Sequence, residues 1–208
     1  MTSTTIDLIR HGEPVGGKKY RGQRDDPLSE KGWRQMWDTV GEFSGWHQVV
    51  ASPLSRCSAF AQALHEKWGI PLKRDPRLKE VGFGEWEGRT AEELAQAEPH
   101  IVDEFRRDPV GKRPRGAEPL EAFHARVCAA WDDLLAEYGG QHVLVVCHAG
   151  VIRMVLAGVL GIPLDNVYRI QVASAGLTRI VVEGRGEHRM ASLLFHHGRL
   201  ADARSGAE

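Results

Sequence analysis

The sequence predicts an α/β fold of three layers, α/β/α, with a mostly parallel central sheet, helices on both faces and a small inserted cap. Two observations carry this. Short β-rich runs, at 6–9, 48–51 and 142–147, alternate with longer segments of helical spacing. Each of these runs also ends in a turn, at Arg10-His11-Gly12, Ser52-Pro53 and His148-Ala149-Gly150. The length of 208 residues suits one domain, 1–208, which can bury roughly 70% of the surface its unfolded chain exposes.

The elements follow in order. Ile6 to Ile9 form the first strand, and Pro14 with Gly16-Gly17 then forces a loop. From Ser29 to about Phe43, Trp33, Met36, Trp37 and Val40 fall at helical spacing behind an N-capping serine. Gln48 to Ala51 reads as a buried strand, and Leu54 to about Trp68 as a helix carrying Arg56 in its first turn. The stretch from about Pro76 to Pro119 is rich in Pro, Gly and charge; within it 85–119 is the expected cap, with a helix over Thr90–Ala97 and irregular chain around RRDPVGKRPRGAEP. A long amphipathic helix follows from about Pro119 to Tyr138 and stops at Gly139-Gly140. His142 to Cys147 is strongly β-branched, and Val151 to Leu160 forms a helix that ends near Gly161-Ile162-Pro163. Strands are expected at Val167–Val172, Gly176–Glu183 and Arg189–Phe195, with a frayed tail after His197.

Composition narrows the function classes. The formal net charge of -1 gives no overall attraction to nucleic acid or to an anionic membrane, so affinity for an anion must arise locally. Cysteines 57, 128 and 147 are odd in number and lack CxxC spacing, which argues against a disulfide framework or a thiol-rich zinc site. With no basic segment leading a long apolar run in MTSTTIDLIRHGEP, the expected location is cytoplasmic. No GxxxxGK[ST] or GxGxxG loop points to a nucleotide, and neither cofactor nor metal is expected. A homodimer is the assembly allowed for; nothing in the residues specifies it.

In a parallel sheet, ligands bind beyond the carboxyl ends of the strands, and His11, Arg56 and His148 lie just past such ends. Arg10 and Arg56 offer planar forks that match phosphate oxygens. An imidazole kept neutral by nearby cations can attack phosphorus and split one hard displacement into two through a covalent intermediate; His11 or His148 suits that part. Helices after the turns should aim N-terminal N–H groups at the same anion. A leaving alkoxide needs a proton, and Glu80 and Glu85 in RLKEVGFGEWEG are the candidates, between which spacing does not choose. The remaining histidines read as surface or structural, and Cys57 and Cys147 as fillers of small volumes, although an Arg-flanked thiol can become acidic. The basic run Lys112, Arg113 and Arg115 reads first as a solvated loop and second as a cap contact to an anionic substrate.

Four ordered blocks, LIRHGEP, SPLSRC, LKEVGFGEWEG and VCHAGVIR, resemble the signature blocks of the histidine phosphatase superfamily with its phosphoglycerate mutase-like fold. The resemblance implies His11 as the phosphorylated nucleophile, Arg10, Arg56 and His148 as holders of the phosphoryl oxygens, and Glu80 rather than Glu85 as proton donor. The short length and the FGEWEG segment look like the phosphatase branch that includes α-ribazole phosphatase. The sequence departs from the family twice. Gly16, Gly17 and Lys18 stand where relatives carry an asparagine, so Arg21, Gly22 and Gln23 are expected to supply the missing donors. Phe60-Ala61 replaces a common Thr-Ala after the second arginine. The resulting expectation is a metal-independent phosphomonoesterase acting on a small phosphorylated metabolite, with α-ribazole 5′-phosphate the first specific candidate. Its rivals are a phosphoglycerate mutase-type phosphotransferase and an inactive phospho-ligand binding module.

Overall fold

A computed structural model describes residues 3–184 and 186–200 of the chain. The sheet has the order β3-β2-β4-β1-β5-β6, where β1 is Ser3–Arg10, β2 Gln48–Ala51, β3 Leu72–Arg74, β4 His142–Cys147, β5 Leu177–Glu183 and β6 Met190–Gly198. Pairings β3/β2, β2/β4 and β4/β1 are parallel while β1/β5 and β5/β6 are antiparallel, so only β5 runs against the rest.

Alternation along the strands divides the core. Ile6, Leu8, Val143, Val145, Ile180 and Val182 face one cluster, which holds the inward residues of α5 (Leu120–Glu137) and α6 (Ala149–Leu160). Ile9, Val49, Ala51, Leu144 and Val146 face the other, with α1 (Glu30–Val40) and α2 (Ser55–Trp68). Helix α1 starts where Ser29 Oγ accepts the Gly32 N–H at 3.0 Å, and ends at Gly41 (φ 54°), shorter than the expected reach to Phe43. Phe60, one of the family departures, is fully buried edge-to-face with Trp37 at 4.9 Å and fills this second core.

Three expectations are corrected. The segment from Val167 to Val172 is no strand: Leu164–Arg169 forms a 3₁₀ helix after Pro163, and β5 reaches β1 without it. Ile101–Arg107 is a helix, α4, that follows α3 (Ala91–Ala97); its Val102 and Phe105 are buried within the α5/α6 core, which draws the 85–119 segment onto the main body. The chain after His197 is not loose at once, since Leu200 is buried and its N–H donates to the Thr39 carbonyl at 3.1 Å; residues 201–208 lie outside the described residues. Among the described residues, no helix is long and apolar enough to cross a membrane.

One charged side chain stands inside the sheet. Asp7 on β1 is fully buried and accepts from Arg179 at 2.7 and 2.9 Å, from Trp46 Nε1 at 2.9 Å and sits 2.8 Å from His142 Nε2. Burial alone would raise its pKa, but the hydrogen bonds from Arg179 and His142 outweigh that and hold the carboxyl below its ordinary 3.8. A depressed carboxyl stabilises the fold fully above the unfolded value and loses that contribution as pH falls through the folded one. Asp7→Ala, which strands Arg179, should therefore cost about 3–5 kcal/mol in urea unfolding at neutral pH, a cost that shrinks in acid as pH falls through the lowered folded-state value. A loss under about 1 kcal/mol at neutral pH would contradict this account.

Candidate active site

The register of β1 against β4 pairs Arg10 with Cys147, so the next residues, His11 and His148, emerge side by side. The His11 N–H continues the ladder to the Cys147 carbonyl at 3.0 Å, and the two imidazoles meet edge to face with centroids 5.2 Å apart. Gly12 then presses on the first turn of α1, where a Cβ would lie 2.2 Å from the Gly32 carbonyl oxygen.

This backbone sets the state of His11. Its Nδ1 stands 2.7 Å from the Gly12 carbonyl, which can only accept, so Nδ1 carries the proton and Nε2 keeps its lone pair. Burial first, and then the charges of Arg10 and Arg56, push the His11 pKa well below 6.5. His148 is lowered likewise by burial, Arg56 and His11, and its Nε2 lies 2.7 Å from Ser52 Oγ at the end of β2. Both rings are thus neutral at physiological pH.

The arginines arrive from different elements. Arg10 Nη1 donates to the Val172 carbonyl at 2.6 Å, while Arg56 Nη1 and Nη2 donate to the carbonyls of Arg24 and Gly22, each at 2.8 Å. The Nε of each is buried and has no hydrogen-bond partner among the described residues. Cys57 and Cys147 are fully buried with pKa values raised by that burial, so neither is an acidic thiol despite the neighbouring Arg56.

Of the two glutamates, Glu80 belongs to the cluster. Its Oε2 accepts the Gly150 N–H of α6 at 3.2 Å and its Oε1 the Val81 N–H at 3.0 Å. A Cβ on Gly150 would lie 2.1 Å from Glu80 Oε1, so a glycine here admits the carboxylate. Glu85 is exposed, and its N–H turns to the Arg115 carbonyl. One N–H at each helix start is taken by a carboxylate: α6 offers Gly150 N–H to Glu80, and α2 offers Ser55 N–H to Asp25 Oδ1 at 2.6 Å.

Arg21, Gly22 and Gln23 frame the cluster in another way than as a row of donors. Arg21 is buried, with Nε on Asp26 at 3.0 Å and Nη2 on the carbonyls of Val15 and Gly17, so it braces the loop. Gly22 contributes its carbonyl to Arg56, and the exposed Gln23 sends its backbone N–H to Glu87 Oε1 at 3.1 Å. Glu87 also accepts the Phe83 N–H at 3.0 Å, tying this loop to the segment that carries Glu80. Arg126, paired with Glu118 at 2.7 Å, donates to the carbonyls of Arg77, Lys79 and Glu80 and so fixes that same segment. Sequence reasoning missed Glu87, Glu118 and Arg126, for what they hold is mostly backbone, some of it distant in sequence, and backbone partners leave no residue-type signal. A groove of about 360 Å³ between α5, α6 and the β5–β6 hairpin, lined by Trp131, Leu135 and Met154, shares no residue with this cluster.

Two neutral imidazoles, one with an unprotonated Nε2, two guanidiniums and a carboxyl group gather at the carboxyl ends of β1 and β4, the end of a parallel sheet where ligands bind, and together suit an anion such as a phosphoryl group. The sequence profile of the histidine phosphatase superfamily (branch 1) matches residues 6–192, and the chain belongs to that superfamily. It is 30% identical over 198 residues to a bifunctional protein of Mycobacterium tuberculosis, covering 92% of this chain and 54% of that protein. The chain thus spans about half the length of the first curated relatives it matches. Among solved structures, a mycobacterial glucosyl-3-phosphoglycerate phosphatase with inorganic phosphate superposes with TM-score 0.81 at 25% identity, over 94% of this chain and 97% of that one. The α-ribazole phosphatase of Shigella flexneri gives 0.77 at 26%, over 94% and 96%.

Nitrogen-15 spectra should show His11 and His148 keeping neutral-imidazole shifts from about pH 7.5 to about pH 6. Titration of either ring near 6.5 would contradict the electrostatics described.

Proposed function

We propose that the protein is a phosphomonoesterase that works through a phosphohistidine, and the observation that carries this is the Nδ1–H of His11 fixed on the Gly12 carbonyl. Nε2 of His11 attacks phosphorus in line while the ester P–O bond breaks. Glu80 gives a proton to the leaving oxygen. A water then loses a proton to the Glu80 carboxylate and attacks the phosphorus, the N–P bond breaks, and inorganic phosphate leaves. Arg10, Arg56 and His148 hold the phosphoryl oxygens throughout, and the burial of the two arginines makes their charge count for more than it would in water. The chemistry asks for no metal or cofactor, because guanidinium groups take the charge that a cation would otherwise neutralise.

A small phosphorylated metabolite fits this reading, and α-ribazole 5′-phosphate is one candidate, supported by the likeness to the Shigella enzyme. Wild type should release phosphate from p-nitrophenyl phosphate in EDTA, with His11→Ala slower by at least ~10³-fold and acid-labile phosphate trapped on His11 during turnover. Retained activity in His11→Ala, or activity abolished by chelator, would refute the mechanism. Fast exchange of phosphate between positions of phosphoglycerate with little release would instead indicate a mutase.

Glu80→Gln offers a sharper test of proton donation. Alkyl phosphates, whose alkoxides need a proton, should slow by about 10²–10⁴-fold, and p-nitrophenyl phosphate, whose anion leaves unaided, far less in single-turnover phosphorylation of His11. Equal losses for both substrates would reduce Glu80 to a structural part.

A further inference from the structure

His196 and His197, near the end of β6, break the alternation of a strand. On the neighbouring β5, Thr178 pairs with His196 and Leu177 with Gly198, so His197 is an extra residue without a counterpart, a β-bulge. Its φ is 64°, a left-handed conformation that glycine adopts freely and histidine seldom does. In a regular strand the two side chains would point to opposite faces. Here the rings lie 4.1 Å apart, and both reach the same piece of chain.

That piece is 170–173, which belongs to no strand or helix and leads from the 3₁₀ helix at 164–169 toward β5. Four successive residues in it are held by side chains. The Ile170 carbonyl accepts from Arg153 Nε at 3.0 Å, the Gln171 carbonyl from His196 Nε2 at 2.5 Å and the Val172 carbonyl from Arg10 Nη1 at 2.6 Å, while the Ala173 N–H donates to His197 Nε2 at 3.0 Å. A carbonyl only accepts, so His196 carries its proton on Nε2, and its Nδ1 accepts from the buried Thr178 hydroxyl at 2.7 Å. An amide N–H only donates, so His197 keeps Nε2 unprotonated. The two rings thus hold opposite tautomers, one matched to the carbonyl before Val172 and the other to the N–H after it. A few residues on, the Ala175 N–H meets the His11 carbonyl at 3.3 Å and the Gly176 carbonyl accepts the Arg10 N–H at 3.2 Å, so the same loop also touches the backbone of the phosphoryl site.

We propose that His196 and His197 are positioning residues for phosphoryl binding: by clasping Val172 from both sides they aim its carbonyl at Arg10 and so fix the guanidinium that meets the phosphoryl oxygens. The inference rests on the phosphomonoesterase reading for the role of Arg10 and adds two residues to it. Glycine at 197 would relieve the backbone and cost the fold only an exposed ring, so the unfavourable φ is retained for what the ring holds.

The test measures the Kd of inorganic phosphate by calorimetry, kcat/KM for p-nitrophenyl phosphate and the melting midpoint. His197→Gly should keep a midpoint near that of wild type yet raise Kd and lower kcat/KM by about three- to tenfold, the effect of one hydrogen bond. His197→Gln, whose amide oxygen can accept the Ala173 N–H, should recover most of that loss. The loss in kcat/KM should persist in an Arg56→Gln background and vanish in Arg10→Gln, because it acts through Arg10 alone. Should His197→Gly fail to fold, His196→Phe, which keeps a ring but has no N–H for Gln171, is read in the same way. A wild-type Kd in His197→Gly, or a loss of equal size in both arginine backgrounds, overturns the inference and leaves the phosphomonoesterase reading intact. A wild type that binds phosphate but hydrolyses no ester refutes that reading, and the Kd of His197→Gly against His197→Gln then decides the inference by itself. A wild type that binds no phosphate overturns both.

Discussion

The parallel pairing of β1 with β4 is the constraint on which the rest depends. Because Arg10 lies opposite Cys147, two residues separated by most of the chain, His11 and His148, become neighbours at a point where the sheet changes the direction of its connections. Ser52 extends the same ladder from β2, its N–H reaching the Val146 carbonyl at 3.0 Å, and meets the ring of His148 from the next strand over. A slip of one residue in that register would turn the β-branched residues of β4 to the wrong faces, so the hydrophobic core enforces the geometry of the polar cluster above it.

Charge is handled differently in the middle of β1 and at its carboxyl end. Asp7, fully buried, is closed off by Arg179, His142 and Trp46, so its hydrogen-bonding capacity is spent inside the fold. Arg10 and Arg56, just at and beyond the carboxyl ends of β1 and β2, are anchored among the described residues through carbonyl oxygens of Val172, Gly22 and Arg24, which orient a guanidinium without neutralising it. Burial among these cations is what keeps both histidines neutral. The chain thereby holds a local excess of positive charge despite a formal net charge of -1.

Around this lies a layer of side chains that touch backbone. Glu87 ties the segment 80–87 to the loop at 22–23, Arg126 and Glu118 hold residues 77–82, and Gly150 makes room for the Glu80 carboxylate. Such supports fix the position of the Glu80 carboxylate, on which the proposed proton transfer depends. They have little signature in sequence, since any residue's backbone N–H serves the glutamates and any carbonyl serves Arg126.

The sequence alone determined the alternation of strands and helices, the strand ends where His11, Arg56 and His148 appear, and, through four ordered blocks, the superfamily to which the chain belongs. Those features are local: periodicity, capping and turn residues act over a few positions, and the blocks are contiguous. Where local signals were weak the reading failed, as for the three-residue β3, the short α4 and the 3₁₀ helix at 164–169, whose apolar residues fit a strand equally well. The structure also settled which of two glutamates lies beside α6 and which of three basic residues turns inward, for Glu80 differs from Glu85, and Arg113 from Lys112 and Arg115, in surroundings alone. Those surroundings are built by residues far away in the chain, because burial and electrostatic environment are properties of the packed molecule and not of any segment of it.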